Sequence, residues 1–190
     1  MNQEIEYTIA HLKNGEVILY PTDTVWGIGC DIFDEKAVRS IYKIKQREDS
    51  KSLIILVSSI EMLMEYVNVS KEIKKELDKD KPTTIIYTDI KRIPNYLLAK
   101  DGSVAIRIVK DAFCKELINQ LGKPIISTSA NVSGGVTPQI YSEISKTILS
   151  DVDYVVNWRQ DDKTIVLPSK IIKVIGKDKI QIIREWVQQL

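Results

Sequence analysis

The sequence predicts an α/β fold in a single domain, and three observations point to it. Strand-length apolar runs alternate along the chain with segments whose apolar residues recur at helical spacing. The chain has 190 residues, the size of one ordinary domain, and shows no internal repeat, low-complexity tract or linker. A closing run of strands with no helix between them predicts antiparallel pairing at one end of a mixed, helix-flanked sheet. The domain is expected to span residues 1–190.

The elements follow in order. Ile5, Ile9 and Leu12 recur at helical spacing and Gly15 stands where a left-handed cap ends a helix, so residues 3–13 read as helical. Val17–Tyr20 and Trp26–Cys30 read as short strands joined by the turn Pro21-Thr22-Asp23-Thr24. Ala37, Val38, Ile41, Tyr42 and Ile44 line one side of a helix that Asp34 caps and that ends near Arg47. Leu53–Val57 is an apolar strand, and Ser58 with Glu61 forms a capping box for the next helix. Strands are expected at 83–88, 103–108 and 124–127, with a helix over 111–121. Thr137 before Pro138 predicts an N-cap for a helix running to about Leu149, and strands at 153–156, 169–175 and 179–184 finish the chain.

Composition bounds the chemistry. Hydrophobic residues make up 44% and charged residues 28%, which supports a real core and excludes a disordered chain. Lys plus Arg total 27 against 26 for Asp plus Glu, so no whole-molecule field favours nucleic acid or an anionic membrane, and phosphate binding must be local. Cys30 and Cys114 form neither a disulfide framework nor a zinc spacing, and a reducing compartment is expected. The lone His11 sits in the N-terminal stretch, badly placed as the base of a Ser-His-Asp or Cys-His enzyme. No signal-like or membrane-length apolar run is present, so a cytoplasmic protein is expected.

Five segments are candidates for one site, and each has a structural alternative. Gly27 and Gly29 lack the third glycine of a dinucleotide loop and read as a close backbone approach. Lys45 and Arg47 suit either a phosphate or the negative end of their helix. The run from Ser127 to Gly135 can surround a ligand with hydroxyls and backbone N–H groups, or form a plain turn. Thr22-Asp23-Thr24 places hydroxyls at the end of a strand, where open α/β sheets bind ligands. Arg107, among β-branched residues, needs an anion or a solvated face.

The order YPTDTVWGIG, Lys45-Gln46-Arg47, SVAIR, STSAN-x-SG and a serine before a strand ending in arginine resembles the YrdC-like family, the threonylcarbamoyl-AMP synthases. The likeness runs from about Gly15 to Arg184 and matches the short, single-domain form. It implies a twisted open sheet around a large concave cavity. It also implies an enzyme that makes L-threonylcarbamoyladenylate and pyrophosphate from L-threonine, bicarbonate and ATP, for a separate tRNA threonylcarbamoyl transferase. On the family's pattern Lys45 and Arg47 would be the catalytic cations at the ATP phosphates, with Ser103, Asn131 and Arg184 also at the nucleotide. Thr22, Arg107, Ser129 and Ser169 would hold threonine, and Mg²⁺ would be held mainly through ATP phosphates, with no dedicated metal ligands.

The chain departs from the pattern at Glu48-Asp49-Ser50-Lys51-Ser52, a segment that could close as a lid, and at Leu56, where many relatives have histidine. Pro168-Ser169-Lys170-Ile171 replaces the usual Ser-Thr pattern, and Trp26 a tyrosine. Two rival readings follow: a non-catalytic module binding RNA or tRNA weakly, and a nucleotide-binding paralogue with another substrate.

Overall fold

A computed structural model describes residues 1–46, 53–176 and 179–185. Arg47 and the expected lid at 48–52 lie outside the described residues. Helix α1 spans Asn2–Lys13 and gives way through Gly15, at φ +74°, to β1, Ile18–Tyr20, and β2, Gly27–Gly29. Helix α2, Glu35–Ile44, starts where the Asp34 side chain accepts from the Ala37 N–H. Then come β3 (Ile54–Val57), α3 (Ile60–Tyr66), α4 (Lys71–Leu77), β4 (Thr83–Tyr87), β5 (Val104–Ile108), α5 (Ala112–Leu121) and β6 (Ile125–Ser129). Helix α6, Lys146–Asp151, leads to β7 (Tyr154–Val155), β8 (Lys170–Ile175) and β9 (Lys179–Arg184).

The strands form one mixed sheet in the order β7-β1-β2-β6-β3-β5-β4-β8-β9. Its closing pair, β8 with β9, is antiparallel as expected. Each face is assigned by the two-residue period of the strands. One face carries Ile28, Ile55, Val57, Ile85, Ile106, Ile126 and Ile172 into a large core that includes Val38 and Ile41 of α2 and Leu63 of α3. The other face is only partly covered: α1 and α5 pack over Ile18, Tyr20, Leu56 and Ile125 with Phe113, Leu117 and Ile118. Beyond α5 that second face lies open.

Three expectations shift. Ser59, not Ser58, caps α3, its hydroxyl accepting from the Met62 N–H at 3.2 Å, while Ser58 turns to the Met62 sulfur. The helix expected from Thr137 is a single 3₁₀ turn at Tyr141–Glu143 followed by α6, which Ser145 caps. The reason is tertiary: Thr137 joins a cavity wall, Tyr141 packs on Trp26 with ring centroids 4.9 Å apart, and Ile144 is buried. Helix α2 stops at Ile44, three residues early, because Lys45 turns inward and Gln46 takes φ +48°. Helix α4 went unread, although Ser70 followed by Ile73 and Leu77 carries its cap and apolar spacing.

Candidate active site

The open half of the second face is the floor of a cavity of about 360 Å³, within the usual size range for small-molecule sites. Strand register sets which side chains share that floor. Ser127 of β6, Ile54 of β3, Ala105 of β5 and Ile86 of β4 form one row across the ladder. The next row runs from Ile125 and Leu56, under α5, to Arg107, Thr84, Ile171 and Arg184. Trp26, Gly27 and Ser129 close one side, and Pro168 and Ser169 the other.

The glycines of β2 mark a close approach, as read from the sequence. A Cβ on Gly29 would lie 2.2 Å from the Ile126 carbonyl oxygen, and one on Gly27 would lie 2.9 Å from the Ser127 hydroxyl in the cavity wall. Bulk there would push β2 off β6 and narrow the site.

Arg107 is 3% exposed, and its Nη2 lies 3.1 Å from Oδ1 of Asp23, itself buried. The other Asp23 oxygen accepts from the Lys110 N–H, so the turn read as hydroxyl-bearing supplies a carboxylate that steadies the arginine. The buried Arg107 Nε makes no hydrogen bond among the described residues. Arg184 donates through Nε and Nη2 to the Ser169 carbonyl at 3.1 and 2.7 Å. Burial lowers its pKa from the usual value, and the positive charge of Arg107 lowers it further, so the two guanidiniums share one electrostatic space. An anion between them would relieve that repulsion.

Hydroxyls complete the walls. The Ser169 and Thr84 hydroxyls bond each other at 2.8 Å, and Thr24, Ser127, Thr128 and Thr137 also line the space. Ser129 donates to the Asn131 side-chain oxygen at 2.5 Å, while the Asn131 amide donates to the carbonyls of Val132 and Gly135. Lys45 binds this knot from behind, its ammonium donating to the Ser129 carbonyl at 2.5 Å and the Asn131 carbonyl at 2.7 Å.

The predicted residues therefore divide. Arg107, Ser129, Ser169 and Arg184 line the cavity together. Lys45 and Asn131 form the structure behind the loop after β6, and in this state the lysine grips backbone oxygens. Thr22 is spent on its own turn, accepting from the Thr24 N–H and donating to the Val25 carbonyl, and faces a much smaller adjoining space. Ser103 bonds Asp101 two residues before Ala105 and is not among the lining residues. Leu56 is fully buried beneath α5, beside Arg107 in register but outside the cavity lining.

Sequence reading missed Asp23 as the partner of Arg107, and Thr84 and Thr137 as lining groups, whereas Thr24 belongs to the hydroxyl-bearing segment it singled out. The signal for Thr84 was present: a hydroxyl in a β-branched strand at the phase of Ile86. His11 is remote in role, stacked on Tyr154 at 4.0 Å and paired with Glu16, and both cysteines are buried and free. Among the described residues no group of three His, Cys, Asp or Glu side chains could hold a metal ion, and no helix is long and apolar enough to cross a membrane.

Comparison with known proteins agrees with this fold. The Sua5/YciO/YrdC family, described as "Telomere recombination", matches residues 10–185. A relative from Methanocaldococcus jannaschii is 38% identical over 185 residues, covering 96% of this chain and 86% of that protein. The threonylcarbamoyl-AMP synthase of Pseudoalteromonas translucida is 33% identical over 158 residues, 80% of this chain and 84% of that enzyme. Among solved structures, E. coli YciO superposes with a TM-score of 0.84 at 25% identity, covering 98% of this chain and 91% of its own. Sua5 of P. abyssi complexed with L-threonine gives 0.78 at 25% identity, over 90% of this chain but only half of the Sua5 chain.

Proposed function

The chain belongs to the Sua5/YciO/YrdC family, and on that premise we propose that its cavity is the active site of a threonylcarbamoyl-AMP synthase. The enzyme joins L-threonine, bicarbonate and ATP into L-threonylcarbamoyladenylate, releasing pyrophosphate and water. One observation carries the reading: two guanidiniums, Arg107 and Arg184, share a cavity otherwise walled by hydroxyls and apolar side chains.

The reaction suits that inventory. The threonine amine attacks the bicarbonate carbon and a C–O bond breaks with loss of water to give a carbamate, whose oxygen attacks the α-phosphorus of ATP, and pyrophosphate leaves with its bonding electrons. Such a displacement asks for positioning and charge neutralisation more than for a strong general base. Arg107, held by Asp23 and with its Nε unbonded, is assigned to the threonine carboxylate, which a planar fork can grip at two points. Ser129 and Ser169 with Thr84 orient the amino acid, and Thr22 acts by shaping the turn that presents Thr24. Arg184 and Asn131 are assigned to the nucleotide, with Ser103 toward its outer end. Lys45 keeps Ser129 and Asn131 in place, and Arg47 is assigned with it to the phosphates.

Mg²⁺ would arrive on the ATP phosphates and offset the charge of the leaving pyrophosphate. The side chains suit such an ion, because Asp23 is already engaged by Arg107 and the Lys110 N–H. We place the enzyme in the cytoplasm, supplying its product to a separate tRNA threonylcarbamoyl transferase.

The test is pyrophosphate release from ATP and Mg²⁺, with threonine and bicarbonate each present or omitted. Release that requires both is the expected result. Release with another amino acid would establish a paralogue of different substrate. RNA affinity that falls steeply with salt, without pyrophosphate release, would establish the RNA-binding reading.

A further inference from the structure

Arg184 reaches the cavity only because β9 is out of step. Ile172 pairs with Ile182, but the adjacent Ile171 pairs with Arg184, so Ile183 is an extra residue in β9. Residues directly opposite each other share a face, and Ile171 faces the cavity while Ile172 lies in the opposite core. In unbroken register Ile183 would stand opposite Ile171 and Arg184 opposite Lys170. The bulge thus swaps an isoleucine for an arginine in the cavity wall, a known use of bulges beside functional sites.

A bulge in the last, exposed strand needs an anchor. Lys170, 6% exposed, extends its ammonium to within 3.4 Å of Glu185, the residue after Arg184, and 3.6 Å of Glu76 on α4. Glu76 is also paired with Lys79. The Lys170 N–H is fixed in turn by the Pro82 carbonyl at 3.0 Å, and the preceding residue, Ser169, supplies the carbonyl that receives both Arg184 donors. Two links therefore close this end of the β8–β9 pair: Ser169 oxygen on the Arg184 side chain, and the Lys170 side chain on Glu185.

We propose that Lys170 is a positioning residue: with Glu76 and Glu185 it clamps the bulged end of β9 so that Arg184 faces the cavity. The clamp rests on the assignment of Arg184 to the nucleotide. A buried lysine held by two carboxylates serves this better than the small hydroxyl residue that the resemblance places there, because its long stem spans from β8 to both α4 and β9.

The experiment is direct titration of the full chain with ATP, comparing wild type with Lys170→Met, Glu185→Gln, Arg184→Ala and the Lys170→Met/Arg184→Ala double variant. Coupled neighbours give non-additive effects of roughly threefold or more. Lys170→Met is expected to weaken ATP binding about five- to tenfold and Glu185→Gln about threefold, with the threonine KM within about twofold of wild type. In the Arg184→Ala background Lys170→Met should add less than about twofold. Glu185, half exposed, serves if Lys170→Met does not fold. Full additivity, or unchanged ATP affinity in both Lys170→Met and Glu185→Gln while Arg184→Ala weakens it, would overturn the clamp and leave the enzyme reading standing. Failure of wild type to bind ATP would instead overturn the nucleotide reading, and the clamp with it.

Discussion

Two halves of one sheet face have opposite fates. Under α5, Leu56 and Ile125 are fully buried among Phe113, Leu117 and Ile118. One strand further along the same row, Arg107 and Thr84 line a cavity. The strands, their pairing and their side-chain alternation continue across the boundary, and the difference is whether a helix lands on them. A covered half must be apolar, since burying unpaired polar groups costs free energy, whereas an open half can hold arginines and hydroxyls for a ligand. Mutations on the covered side should therefore change stability, and mutations on the open side should change kinetics.

Arg107 breaks that division and should give the largest effect. Arg107→Ala leaves the buried Asp23 carboxylate without its cation, so a loss of about 3–5 kcal/mol in unfolding free energy is expected along with loss of pyrophosphate release. Denaturant titration and the release assay together check it. Leu56→Ala should cost about 2–5 kcal/mol while folded enzyme keeps its threonine KM, which would mark the covered half as structural. A large KM change with little loss of stability would move Leu56 across the boundary.

Arg107→Lys sharpens the comparison by keeping charge and discarding the fork. Loss of one charge-assisted hydrogen bond, about 1.5–3 kcal/mol, predicts a threonine KM raised roughly ten- to a hundredfold at nearly unchanged stability. Unchanged threonine kinetics would remove Arg107 from the carboxylate. Thr84→Val should be milder, raising the KM by about fivefold through loss of one hydroxyl pair worth about 1 kcal/mol.

The smallest effect lies outside the cavity lining. Lys173 and then Ser103, by hydrogen bonding, hold the Asp101 carboxyl below the usual carboxylate range. A lowered pKa stabilises the fold above the unfolded value, about 4, and the contribution is lost as pH falls through the folded one. Asp101→Asn should lower Tm slightly at pH 7 and converge with wild type as pH falls, so that its fall on the acid side is flatter. An acid limb identical to wild type would show that this exposed pair does not contribute.

Periodicity and local chemistry made much of the fold legible. Asp34 before Ala37, Val38 and Ile41 announced α2, and Leu53–Val57 could be read as a strand from its apolar run. Thr137-Pro138 misled because its local signal was good but a long-range demand, packing Tyr141 on Trp26, outweighed it. The site was legible as a set of segments and not as a geometry. Lys45 was legible as a cation but not as one whose ammonium holds the backbone of a loop 86 positions away, and the Thr22-Asp23-Thr24 segment was legible without showing that Thr24 lines the cavity.

By itself the sequence determined the α/β class, the near-zero net charge and the inventory of arginines and hydroxyls without a usable histidine. These depend on residue type and near-neighbour spacing. Only the tertiary structure decided that Arg107 and Arg184 line one cavity, that Asp23 steadies one of them, and that a single extra residue in β9 turns the other inward. Those outcomes depend on strand order and register, which bring residues 77 positions apart onto one row and leave no mark in either local segment.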